Sequence, residues 1–370
     1  MSSNKNILIA CCYPITIERI GGMDYFFWEI DKRLSDLGFK VHWLFASNGN
    51  TQHYLDRGVN FDLVNDLSTF EEELLVWLKT FENISLFVGH FLDYQSSVVK
   101  TIKNELGRNL PCIYIDHLSR PMVRKKKYIR FKKRIKGIVY YNQIDKIIAV
   151  SNFVKKSILN EMGFFWNSKI QVIYNGLKTD NYVIQTKQQN ASILSIFCIG
   201  HLIKEKGFQT VINCCKILQD QGVSFYLIIA GDGNYRTFLE DKANRVLKTN
   251  SFTFLGNINN QSDYLNQADI VIIPSLWEEA FGFTNVEAML MKKVIFSSNV
   301  GGIPEIVNDS EMLFEPNDHF QLARLIRNYI SNKQQYEAKA NKLYEFAQDN
   351  FTIEKMVKNH LQCYLSFLTK

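Results

Sequence analysis

The chain has 370 residues, 46% hydrophobic and 22% charged, with 19 Gly, 6 Pro and a net charge of +6. This composition excludes a disordered, collagen-like or low-complexity chain, and the length exceeds one ordinary core and suits two. No apolar run nears the ~18 residues of a membrane span, and Asn6–Cys12 is too short and poorly flanked for a signal peptide, so a cytoplasmic protein is expected.

Short apolar strands alternate with helical stretches, the pattern of parallel α/β domains. Ile7–Cys12 reads as a first strand. Gly21-Gly22 follows it, then a helix from about Asp24 to Leu37, which Gly38 stops, and a strand at Val41–Ala46. Leu86–Gly89, Cys112–Ile115, Lys146–Val150 and Ile170–Ile173 are further strands. Residues 178–192 are polar and aperiodic, as a linker would be. The pattern then restarts with strands at Ser195–Gly200, Ser224–Ala230, Phe252–Leu255, Ile270–Pro274 and Val294–Ser298. Helices are predicted over Phe208–Gln219 and about Thr284–Met291, and the last segment, Ile353–Leu368, reads as an amphipathic helix. The expected division is a first domain over 1–177, the linker, and a second over 193–352, with helix 353–370 packing back on the first. Ligands of open parallel sheets lie at the carboxyl ends of the strands, so two facing units predict a central cleft.

The basicity is local. Arg124–Lys136 carries nine Lys and Arg and no acid, with Tyr128, Ile129, Phe131 and Ile135 interleaved. Such a segment fits an anionic membrane surface; a solvated basic helix is the plainer alternative. The seven cysteines form no Cys-x-x-Cys and no zinc-ligand spacing, as in a reduced chain.

Gly21-Gly22 sits where backbone amides approach a phosphate, although a simple turn reads the same way. Lys206, before Gly207, stands between a strand and a helix, where a lysine places charge on a phosphate or merely faces solvent. The richest stretch is Pro274–Met289. Glu279 falls in a loop, Glu287 lies eight positions on within a helix, and the amides of Phe281–Asn285 open that helix as an anion site. Two carboxylates flanking an anion-binding turn suit a ligand with many hydroxyls and a phosphate. Gly301-Gly302-Ile-Pro-Glu305 repeats the strand, glycine loop, helix layout.

In this order and spacing, these motifs resemble the retaining glycosyltransferases of family four, with the GT-B fold of two Rossmann-like doubly wound domains. The likeness is carried by Gly21-Gly22, Ser151, Asn175-Gly176, Gly200, Lys206-Gly207, Gly231-Asp232-Gly233, Phe254-Leu-Gly256, Ala268-Asp269, Pro274-Ser275, the Glu279 and Glu287 pair, and Gly301–Glu305. It implies that Glu279 holds donor-sugar hydroxyls, Glu287 grips the ribose diol and Lys206 binds the pyrophosphate. Gly22, His201, Gly256 and the stretch Phe281, Gly282, Phe283 and Thr284 complete the implied donor site. His201 stands where the family places an arginine, and Arg19 or Lys204 would be the substitutes. His117, at a strand end, resembles a histidine near the reacting sugar, and His90 ends the neighbouring strand; both are assigned to the acceptor side.

The resemblance implies retaining, metal-independent transfer of a hexose from a nucleoside-diphosphate sugar, with UDP expected, and no cofactor. The implied acceptor is a hydroxyl of a glycan or lipid-linked molecule in cell-surface polysaccharide, lipopolysaccharide or glycolipid synthesis. An epimerase of the same fold would instead turn over nucleotide sugar without acceptor. A phosphorylase is disfavoured for want of a pyridoxal-phosphate lysine motif. A sugar- or nucleic-acid-binding module is disfavoured because Glu279, Glu287 and Lys206 are all present. No nucleic-acid partner is expected; peripheral attachment to the inner face of the membrane is the expected role of the basic segment.

Overall fold

The computed structural model of the protein describes residues 5–16, 20–47, 49–94, 96–107, 109–118, 127–185 and 193–368, the side chains of Lys127, Tyr128 and Arg130 excepted. The chain forms two compact units. One is Met1–Gly176 with Ile353–Lys370; the other is Leu177–Thr352.

The first unit runs β1 (Asn6–Pro14), α1 (Gly22–Asp36), β2 (Lys40–Ala46), α2 (Gln52–Leu55), β3 (Phe61–Val64), α3 (Phe70–Leu78) and β4 (Ile84–His90). It continues through α4 (Ser97–Leu106), β5 (Cys112–Asp116), α5 (Lys127–Tyr140), β6 (Lys146–Ala149), α6 (Asn152–Met162) and β7 (Ile170–Val172). Among the described residues these strands make one seven-stranded parallel sheet, ordered β3-β2-β1-β4-β5-β6-β7. The centre of β1, Ile7 to Cys11, is fully buried, as expected of a strand with both faces covered by helices.

The second unit has β8 (Leu194–Ile199), α7 (Phe208–Asp220), β9 (Phe225–Ala230), α8 (Arg236–Val246), β10 (Phe252–Gly256), α9 (Gln261–Gln267) and β11 (Ile270–Ile273). It ends with α10 (Phe283–Leu290), β12 (Val294–Ser298), α11 (Ile303–Val307), β13 (Leu313–Phe314), α12 (His319–Ser331) and α13 (Lys333–Asn350). Its sheet is parallel, ordered β10-β9-β8-β11-β12-β13. The last helix, α14 (Ile353–Leu368), packs in the first unit against α1.

Strand order reverses between β1 and β4 in the first sheet and between β8 and β11 in the second, and loops leaving such a point are where ligands bind in doubly wound folds. Two strands escape the sequence pattern. β3 reads Phe-Asp-Leu-Val with both middle residues exposed, and β13 has two residues, so neither shows an apolar run. Residues 178–185 of the expected linker are held to the second unit instead: Asn266 receives the Gln185 amide at 3.0 Å and donates to the Val183 carbonyl at 3.0 Å. Residues 186–192 lie outside the described residues, as do Arg19 and Arg124 to Lys126. All seven cysteines are free thiols.

Candidate functional site

In the second unit the loops after β8, β9, β11 and β12 are fastened to one another through their backbones. The Glu205 carbonyl accepts from the amides of Leu276 at 2.8 Å and Trp277 at 3.0 Å, joining the β8 and β11 loops across the strand reversal. Gly231 has φ +119, and a Cβ there would lie 2.0 Å from the Gly200 carbonyl oxygen. Its amide donates to the Gly256 carbonyl at 2.7 Å, so Gly256 acts through its backbone in this structure. Gly301, φ +61, brings β12's loop so close that a Cβ would stand 2.6 Å from the Glu279 amide nitrogen, and the Gly302 amide donates to the Glu279 carbonyl at 2.8 Å. The glycine pair thus clamps the backbone that carries Glu279.

This clamping aims Glu279 at Lys206. Lys206 Nζ lies 2.5 Å from Glu279 Oε1, and the buried Ser275 hydroxyl lies 3.0 Å from the same oxygen. Both partners keep part of their surface in solvent, 31% for the lysine and 17% for the glutamate side chain. The pair is fixed from the protein side and open on the other. A carboxylate has further lone pairs and an ammonium further protons for a ligand that enters there.

Glu287 lies on α10, whose opening amides, those of Phe283 and Thr284, find no acceptor within the helix. Gly282 caps it at φ +96, and Phe281 is buried between the rings of Phe283 and Phe351 at 5.3 and 5.5 Å. The Glu287 carboxylate receives the Gln261 side-chain amide at 2.8 Å and the Tyr182 hydroxyl at 3.3 Å. Burial raises its pKa above the ordinary carboxylate value, while these two hydrogen bonds oppose the rise. Tyr182 and Gln261 belong to none of the sequence motifs, and 105 and 26 positions separate them from Glu287. His201, by contrast, is exposed on the β8 loop.

In the first unit, His90 ends β4 and His117 follows β5, and the pairing of these strands brings the rings together, Nδ1 of His90 lying 3.1 Å from Nε2 of His117. Burial lowers both pKa values, to about 3 for His117, so both imidazoles are neutral near pH 7. At Gly21-Gly22 the Gly21 amide donates to Asp24 Oδ2 at 2.8 Å, so α1 begins on its own carboxylate. Gly22 is the first residue of that helix. Glu279, Lys206, Glu287, His201, Gly256 and Phe281 to Thr284 all fall in the second unit; Gly22, His90 and His117 fall in the first.

Residues 20–181 match the family described as Glycosyltransferase Family 4, and residues 185–349 match Glycosyl transferases group 1. The chain is 27% identical over 286 residues to an uncharacterized glycosyltransferase of Methanocaldococcus jannaschii, covering 75% of this chain and 74% of that one. It is 24% identical over 360 residues to the gpi3 subunit of the phosphatidylinositol N-acetylglucosaminyltransferase of Schizosaccharomyces pombe, covering 88% and 73%. Other curated relatives are matched over less than two thirds of their own length, 40% and 48% in two cases. Among solved structures, Anabaena HepE in complex with UDP and glucose superposes with a TM-score of 0.73 at 18% identity, covering 97% of this chain and 99% of that one.

Proposed function

Because the chain belongs to the glycosyltransferases of family-four type with the GT-B fold, we propose that it moves a hexose from a nucleoside-diphosphate sugar to an acceptor hydroxyl with retention at the anomeric carbon. The observation that carries this reading is the Lys206 and Glu279 pair, held at the strand reversal of the second sheet, with Glu287 on the helix that follows. In this reading the Lys206 ammonium and the amides of Gly282 to Thr284 take the diphosphate, with His201 beside them. Glu279 accepts from sugar hydroxyls and Glu287 from the ribose diol. UDP is the nucleotide favoured, on the strength of the Anabaena neighbour that holds it.

Glu279 and Glu287 are both assigned to binding rather than to nucleophilic attack, so the departing phosphate oxygen is assigned the acceptor's proton as the new bond forms on the same face. Catalysis then consists of positioning and stabilisation of charge on the leaving diphosphate, without a metal or other cofactor. The test is a panel of nucleotide sugars with chelator present, followed for hydrolysis and for transfer. Calorimetry with free UDP completes it: Glu287→Ala should weaken binding about tenfold and Tyr182→Phe should leave it within about threefold, since a ribose would displace the tyrosine from the carboxylate. Unchanged UDP affinity in Glu287→Ala removes that carboxylate from the site, and turnover of nucleotide sugar to an isomer without acceptor replaces the transferase by an epimerase.

A lipid-linked acceptor is favoured by α5 and by the fission-yeast relative, whose name specifies phosphatidylinositol. Phe131, Ile135, Ile138 and Val139, at helical spacing, are 66%, 47%, 66% and 54% exposed, and Lys132, Arg134 and Lys136 are exposed around them. Lys133 is paired with Glu161 at 2.6 Å. An apolar stripe among cations enters the headgroup layer of an anionic membrane, where each Lys or Arg contributes about 1 kcal/mol. Among the described residues no helix is long and apolar enough to cross a membrane. Sedimentation with vesicles containing anionic lipid should exceed that with neutral vesicles, fall with salt, and drop at least tenfold in Lys132→Gln/Arg134→Gln/Lys136→Gln. Equal sedimentation with both vesicles removes the membrane from this reading.

A further inference from the structure

His90 and His117 of the first unit are more closely built than a binding pair requires. His90 is fully buried, boxed by Phe26, Phe27 and Trp43 with ring centroids 5.9, 5.3 and 6.3 Å away, and its Nε2 has no partner among the described residues. His117 is only half-buried. Its ring is within 15° of parallel to His90, and Phe91 stacks on it at 4.4 Å and 18°. Phe91 adopts φ +57, a conformation a bulky side chain holds only where its surroundings enforce it, and Tyr13 stacks on it at 5.1 Å.

We propose that His90 is a positioning residue for His117: it fixes the plane of the half-buried ring and engages its Nε2, so that Nδ1 is the nitrogen His117 offers to a substrate. What that substrate is rests on the transferase reading; the pairing itself does not. With both rings neutral, one proton lies between Nδ1 of His90 and Nε2 of His117. The titratable groups acting on the pair are the two rings and His360 of α14, which lies across Phe26 with its Nδ1 2.9 Å from the Met356 carbonyl. All three oppose a positive charge. The nearest acid in sequence, Asp116, accepts the Leu118 amide at 3.1 Å.

Protein labelled with ¹⁵N-histidine, free of substrate, is the direct test. His90 and His117 should each show one neutral tautomer, unchanged between about pH 5 and 8. In His90→Leu, His117 should average between tautomers or begin to titrate, and kcat should fall about tenfold or more with donor KM little changed. His90→Asn, whose amide puts a polar atom where Nδ1 stood, should recover most of kcat. A His117 that titrates or averages in the wild type overturns the proposal without need of any variant. So does an identical His117 spectrum in wild type and His90→Leu, or a folded His90→Asn as slow as His90→Leu. A wild type with the expected spectrum but no transfer from any nucleotide sugar overturns the transferase reading and leaves the pairing in place.

Discussion

Glu279→Gln is expected to bind free UDP more tightly than the wild type while transferring sugar about a hundredfold more slowly. The opposition of sign comes from the contact between Glu279 and Lys206 at 2.5 Å. That carboxylate neutralises the ammonium a diphosphate would use, so an entering nucleotide competes with it. An amide in its place leaves the lysine's full charge to the phosphates, and a hydrogen bond to an ionised partner exceeds a neutral one by about 1 kcal/mol, or roughly fivefold in affinity. The sugar, however, loses a charged acceptor for its hydroxyls, and the reacting carbon its fixed position. Lys206→Ala should lower both quantities, with turnover reduced about a hundredfold, or ~3 kcal/mol, as charge on the leaving group goes unanswered. Calorimetry with UDP and initial rates with the active donor read the two effects separately. Unchanged UDP affinity in Lys206→Ala would show that Lys206 does not face the phosphates, and a loss of affinity in Glu279→Gln would show that the carboxylate does not compete for the ammonium.

Gly231→Ala is the second large effect, and it concerns stability. The added methyl would lie 2.0 Å from the Gly200 carbonyl oxygen, at a φ of +119 that L side chains rarely adopt. Relief requires moving either the β8 loop or the bond from the Gly231 amide to Gly256. A loss of about 3 kcal/mol or more is expected in urea unfolding of the second unit. Gly21→Ala is the matched control: nothing lies within 4 Å of its Cβ position and its φ is −140, so a change within about 0.5 kcal/mol is expected. Similar losses in the two variants would mean that the loops after β8 and β9 are free to part.

These loops also mark what a sequence can and cannot say. Runs such as Ile-Val-Ile-Ile in β11 announce buried strands because both faces are covered and every position is apolar. The eight-residue spacing of Glu279 and Glu287 is likewise visible, since loop and helix are contiguous. What joins them to their partners is not. Tyr182 reaches Glu287 from a stretch whose polarity reads as linker, and hydrogen bonds to Asn266 rather than any local pattern hold that stretch in place. Gly301-Gly302 looks like one more strand-to-helix turn until the backbone it presses on proves to be that of Glu279. His90 and His117 are each legible as strand ends; their contact depends on β4 pairing with β5, which periodicity does not encode. The basic segment shows the converse, for its charges are plain in the sequence, whereas the exposed row from Phe131 to Val139 emerges only when α5 is seen against its neighbours.

The return of α14 to the first unit also sets an order of events at the ribosome. The chain leaves that unit after Gly176 and re-enters it at Ile353, so everything between is made while the first sheet still lacks its last helix. At roughly ten residues per second the interval is roughly eighteen seconds. Throughout it the α1 surface that α14 will cover, with Phe26 awaiting His360, faces the nascent-chain environment as uncovered apolar surface. The half of the molecule that is begun first is the half completed last, and chaperone binding during synthesis should concentrate on it.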